Sequence, residues 1–152
     1  MTSMEPRSRK ATIMIVDDTP EIQRYLQTLL ELDAYQVVTA SNGYGALQIL
    51  QLGCAPDVVL LDLQMPGMDG LETLRRLQQL RPAPKVIMCS AVDDPEKMRA
   101  AAALGARAYL VKPVQHLYLS AAVERCLQPD PTMRSPQLAA ANVFVLPSPG
   151  LS

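Results

Sequence analysis

The chain has 152 residues, 49% of them hydrophobic and 19% charged, with a formal net charge of −1. That length favours one folded domain, and the composition favours a packed core over disorder. The charge balance offers no broad basic footprint for a nucleic-acid backbone, and no apolar run reaches the length of a membrane span.

Residues 1–10 are polar, contain Pro6 and lack the apolar stretch of a secretory signal, so they read as a loose leader. From Ala11 onward two kinds of segment alternate. Short aliphatic or β-branched runs at 12–16, 36–39, 58–61, 86–88 and 108–111 predict strands. Helical periodicity between and after them predicts helices over 20–33, 44–52, 71–80, 95–104 and 114–127. The clearest is the first, where Ile22, Tyr25, Leu26, Leu29 and Leu30 recur on one face. Strict alternation of strand and helix predicts a parallel sheet covered on both sides. The unbroken Val58-Val59-Leu60-Leu61 run suits a strand buried on both faces. After Gln128 five prolines break up the segment 129–152, which reads as a Pro-rich tail with no output domain. Its one apolar patch is Val143-Phe144-Val145-Leu146.

Open sheets of this kind bind ligands beyond the carboxyl ends of their strands. Asp17 and Asp18 end the first strand, Asp62 the third, Ser90 the fourth and Lys112 the fifth. All five side chains should therefore meet on one rim. Carboxylates gathered there need a positive partner to remain ionised together. A hard divalent cation such as Mg2+, or Mn2+, takes oxygen ligands and can bridge carboxylates to a phosphoryl group. Lys112 adds a second positive charge and Ser90 a hydroxyl donor. The set suits phosphoryl transfer onto a carboxylate.

Each signal alone has a plainer reading. Asp18 or Thr19 could cap the helix that begins at Pro20, the stretch MPGMDG could be a tight turn, and Ser90 could cap the helix near Pro95. Their joint occurrence in order, all at strand ends, is what carries the argument.

The elements VDD, LLDLQMPGMDG, MCSA and YLVKP, within residues 11–128, resemble a response-regulator receiver domain of two-component signalling, of the stand-alone single-domain type. That resemblance implies a flavodoxin-like, doubly wound, five-stranded sheet in the order 2-1-3-4-5 with five surrounding helices. It implies that Asp62 is phosphorylated and that Asp17, Asp18, Asp62 and the Gln64 backbone carbonyl hold Mg2+ or Mn2+. Ser90 and Lys112 would contact the phosphoryl oxygens, Pro113 would follow a cis peptide bond, and Tyr109 would turn inward as the switch operates. Gln64 and Val92 would tune hydrolysis. The implied partners are a histidine kinase or phosphotransfer protein and a downstream effector, met in the cytoplasm, without direct DNA binding or a membrane. The surface of the fourth helix, fifth strand and fifth helix would change. The protein would catalyse only its own phosphorylation and dephosphorylation, and so would not be an enzyme acting on an outside substrate.

Two alternatives stay open here: a Mg-dependent phosphohydrolase using an aspartyl phosphate, and a degenerate receiver serving as a binding scaffold. The fifth helix segment carries two apolar stripes. Leu119, Val123 and Cys126 should face the core, while Val114, Leu117 and Ala121, flanked by Tyr118, lie opposite. Leu117 and Tyr118 would then stand near Tyr109 and offer a surface to a partner, a second copy in a homodimer, or the 143–146 patch. His116, the only histidine, reads as an exposed helix residue. The three cysteines, odd in number and far apart, read as reduced thiols.

Overall fold

The computed structural model describes residues 11–128 and 143–146; the leader and most of the Pro-rich tail lie outside them. In chain order the elements are β1 (Thr12–Val16), α1 (Pro20–Leu32), β2 (Gln36–Ala40), α2 (Gly43–Gln51), β3 (Val58–Asp62) and α3 (Gly70–Leu77). Then follow β4 (Lys85–Ser90), α4 (Pro95–Ala103), β5 (Ala108–Val111), α5 (His116–Leu127) and β6 (Val143–Val145). The sheet order is β2-β1-β3-β4-β5-β6. The first five strands pair in parallel, in the order expected, and β6 joins β5 antiparallel. This is a flavodoxin-like doubly wound fold with one additional edge strand.

Period-two side-chain placement divides the core into two layers. From β1, Ile13 and Ile15 point to a cluster with Leu26 and Leu30 of α1 and Leu119, Val123 and Cys126 of α5. Met14 and Val16 point the other way, to a cluster with Ala46 of α2, Leu74 and Leu77 of α3 and Ala101 of α4. The central strand β3 is buried along its whole length, as its apolar run requires.

Helix starts follow the expected chemistry with some reassignment. The Asn42 side chain caps α2 by accepting from the Gly45 N–H at 2.7 Å, and Asp69 caps α3 by accepting from Glu72 N–H at 2.9 Å. Asp94, not Ser90, caps α4. Thr19 occupies the cap position of α1 but makes no side-chain cap bond. Helix α5 begins at His116 rather than 114, with Gln115 in the cap position, and the Lys112-Pro113 bond is cis. Val114 therefore lies outside the helix and is buried in the core, so it is not part of an outer stripe. Among the described residues no helix is long and apolar enough to cross a membrane.

Candidate functional site

Each functional side chain is delivered by the end of a strand. Strand β3 runs one residue further than its apolar run and carries Asp62 as its last residue, and β4 likewise ends on Ser90. Asp17 and Asp18 follow β1, and Lys112 follows β5. The parallel register sets Asp62 beside Cys89 and Ser90 beside Val111, so the carboxyl ends form one rim.

Two backbone features hold the rim in place. Gly70 opens α3 where a Cβ would collide with the Asp62 carbonyl oxygen and the Leu63 backbone; only glycine lets that helix approach so closely. Its N–H donates to Leu63 O at 2.9 Å, and Leu63 N–H donates to Cys89 O at 2.9 Å. Asp17 is fixed more tightly still. Its Oδ1 accepts from Thr19 N–H at 2.9 Å, its own N–H donates to Ala40 O at 3.1 Å, and Gln23 Nε2 donates to its carbonyl at 2.6 Å.

On this frame the charges converge. The Lys112 ammonium donates to Asp17 Oδ2 at 2.9 Å and to Asp62 Oδ1 at 3.3 Å. Asp62 Oδ1 also accepts from Gln64 N–H at 3.3 Å. Asp17, Asp62 and Ser90 are buried, at 1%, 6% and 0% exposure, while Asp18 is exposed. Carboxylate oxygens of Asp17, Asp18 and Asp62 all lie within 4.8 Å of one another. Burial pushes the Asp62 carboxyl above its ordinary range; Lys112 works against that rise and Asp17 adds to it. For Lys112, burial opposes the charge, yet Asp17 and Asp62 outweigh it and the ammonium is held above its ordinary value. One lysine thus leaves the acidic cluster short of positive charge. Three oxygen donors in contact range with a net anionic deficit are the donor set that a hard divalent cation takes.

Ser90 Oγ accepts from Val92 N–H at 3.2 Å, and Lys112 N–H donates to Ser90 O at 2.7 Å, which ties β4 to the lysine. Tyr109 stands fully buried in the α2/α3/α4 layer, its phenol donating to Val92 O at 3.0 Å. Burial raises that phenol, with the Ser90 hydroxyl acting in the opposite direction.

The structure thus brings together Asp17, Asp18, Asp62, Ser90 and Lys112, with Gln64 alongside. It does not bring together the proposed partner surface. Leu117 is 72% exposed, whereas Tyr118 packs against the α1/α5 layer, on the opposite face of the sheet from Tyr109. His116 is not a bare helix residue: Nε2 lies 3.1 Å from Asp33 Oδ1, and Ser120 Oγ donates to Asp33 Oδ2. Sequence reasoning missed Thr19, Gln23 and Gly70 as positioning residues. Only Gly70, next to a turn-forming Asp69, left a readable signal.

A doubly wound, mostly parallel sheet whose carboxyl rim carries three acidic groups, a lysine and a hydroxyl defines an α/β domain with an acidic site at its strand ends. Residues 13–124 match the response regulator receiver domain, and the chain belongs to that family. It is 40% identical over 121 residues to the positive alginate biosynthesis regulatory protein of Pseudomonas aeruginosa, covering 78% of this chain and 48% of that one. It is 40% identical over 101 residues to the transcriptional regulatory protein KdpE of Mycobacterium tuberculosis, covering 66% and 44%. The chain spans about half the length of these curated relatives. Among solved structures, chemotaxis protein CheY4 of Vibrio cholerae matches with a TM-score of 0.71 and 32% identity, over 77% of this chain and 98% of that one. A response regulator receiver domain from Clostridium thermocellum matches with a TM-score of 0.73 and 34% identity, over 78% and 94%.

Proposed function

We propose that this receiver domain accepts a phosphoryl group on Asp62 from a phosphohistidine of a histidine kinase or phosphotransfer protein. The observation that supports this best is the Lys112 ammonium bridging buried Asp17 and Asp62, with Asp18 completing an acidic cluster. Asp62 Oδ1 is held by Lys112 and the Gln64 N–H, and Oδ2 is the oxygen we assign to attack. The new P–O bond forms as the donor's P–N bond breaks, and the imidazole leaves with the electron pair.

Asp17, Asp18, Asp62 and the Gln64 carbonyl would hold Mg2+ or Mn2+. When bound, that ion neutralises charge on the transferring oxygens. Lys112 supplies the second countercharge, and the Ser90 hydroxyl, once turned from Val92, donates to a phosphoryl oxygen. Phosphorylation adds about −1.5 to −2 charges at Asp62. The response then travels through Ser90, Val92 and Tyr109 to the surface of α4, β5 and α5, which an effector reads.

The chain modifies only itself in this scheme and turns over no outside substrate. One relative is named a transcriptional regulatory protein, and an output of that class suits this switch. The net charge of −1 leaves nucleic-acid contact to another part or partner. Unpaired thiols at Cys54, Cys89 and Cys126 suit a reducing cytoplasm.

The test uses phosphoramidate as a P–N donor with Mg2+. Wild type should incorporate one phosphoryl group and Asp62→Asn none. Sustained phosphate release from small phosphomonoesters would instead make the protein a phosphohydrolase.

A further inference from the structure

Strand β6 comes from the apolar patch of the tail, and its position is specific. It adds antiparallel to the outer edge of β5, with Ala108 opposite Val145, Tyr109 opposite Phe144 and Leu110 opposite Val143. Leu146 N–H extends the pairing by donating to Arg107 O at 3.1 Å. Directly opposed residues in a sheet place their side chains on the same face. Phe144 accordingly packs into the layer that contains Tyr109, as does Leu146, whereas Val145, opposite Ala108, faces the other side of the sheet and is 40% exposed. Without β6 the outer side of β5 would be an unpaired edge.

Tyr109 is also the residue that links this edge to the acidic rim. Its phenol bonds Val92 O, Val92 N–H bonds Ser90 Oγ, and the Ser90 carbonyl bonds Lys112 N–H. A ring packed on Tyr109 from outside therefore bears on the same side chain that the rim holds from inside.

We infer that the outer edge of β5 is a strand-docking site whose resident ligand is the chain's own segment 143–146, and that docking of Phe144 over Tyr109 is coupled to occupancy of the Asp62 site. An effector that uses this edge would add its own extended apolar strand in place of that segment, with an aromatic or large aliphatic side chain opposite Tyr109. Coupling is reciprocal: whatever favours the inward tyrosine at the rim tightens β6, and β6 favours the occupied rim. The coupling half rests on the phospho-acceptor reading of Asp62; the docking half does not.

The experiment uses the full chain as wild type, Phe144→Ala, Phe144→Leu and Val145→Ala, with two readouts. The first is amide hydrogen exchange of residues 107–111 and 143–146 without any phosphate mimic. Wild type and Val145→Ala should be protected, Phe144→Ala should lose that protection, and Phe144→Leu should recover most of it. Unprotected 143–146 amides in wild type would overturn docking. Protection that rises with protein concentration would assign the strand to a second copy and overturn the in-chain assignment. The second readout is beryllofluoride affinity in Mg2+. Phe144→Ala should bind about threefold more weakly, Val145→Ala should match wild type, and the mimic should further protect 143–146. Equal affinity in Phe144→Ala would overturn the coupling. A wild type that binds no beryllofluoride would overturn the phospho-acceptor reading and the coupling with it, while docking is still decided by the exchange readout.

Discussion

Lys112 is the residue on which the rim's electrostatics turn. It is the cation that ion-pairs with both Asp17 and Asp62, and its side chain is only 19% exposed. Removing one partner of a buried ion pair leaves uncompensated charge, typically at a cost of several kcal/mol. Some solvent reaches Lys112, so Lys112→Ala should lose about 2 kcal/mol in low-divalent buffer, measured by denaturant unfolding. Millimolar Mg2+ should recover a larger share in the variant than it adds to wild type, because the ion then replaces the missing charge. The carboxylates around Lys112 and the burial of two thiols set the pH dependence. The Lys112 pKa stands above its ordinary 10.5, so its contribution is complete below that value and is lost as pH climbs through the folded one. Burial pushes the Cys89 thiol from 9.0 up to about 12 and the Cys126 thiol to about 11. The unfolded chain releases those protons first, so stability falls from pH 9 upward. Denaturation midpoints measured from pH 7 to 11 should decline along that limb, and in Cys89→Ala/Cys126→Ala the onset should move upward. Against a maleimide at pH 8, Cys54 should react in the native protein, and Cys89 and Cys126 only after unfolding.

At the scale of elements, the strands and helices were legible because their periods are clean. Ile22, Leu26, Leu29 and Leu30 repeat at helical spacing, and Val58 to Leu61 form an unbroken apolar run. Helix α5 starts two residues later than hydropathy places it, because the periodicity from Val114 continues smoothly into His116. The α1–β2 turn shows another element-level feature. Ala34 follows the α1 C-cap with φ 70°, in the left-handed region that glycine occupies without penalty. Ala34→Gly should therefore stabilise the protein by about 0.5–1 kcal/mol, read as a raised denaturation midpoint. Gly70→Ala should do the reverse. Its Cβ meets the Asp62 and Leu63 backbone, so a loss of about 2 kcal/mol and weaker Mg2+ binding by calorimetry are expected.

Across the whole molecule, the rim could be assembled on paper because a topological rule sends strand ends to one side. Asp17, Asp18, Asp62, Ser90 and Lys112 needed no side-chain geometry to be grouped. What the rule could not supply was the pair of bonds that Thr19 and Gln23 make to Asp17, since they depend on how the first turn of α1 lies. Nor could it place Phe144 opposite Tyr109, because a short apolar patch in a proline-rich segment has no register until it meets an edge. Of the surface expected at Leu117 and Tyr118, Leu117 faces solvent and Tyr118 packs on the α1/α5 layer, since adjacent helix positions point in different directions.

In the proposed switch, Asp62 accepts the phosphoryl group, served by its acidic neighbours and Lys112. Intact mass after incubation with acetyl phosphate and Mg2+ tests it most directly, with Asp62→Asn and a chelator as controls. Wild type should carry a single phosphoryl adduct, removed by hydroxylamine as an acyl phosphate is, and absent from both controls. A wild type that gains no phosphate, or an Asp62→Asn variant that gains as much, would contradict it.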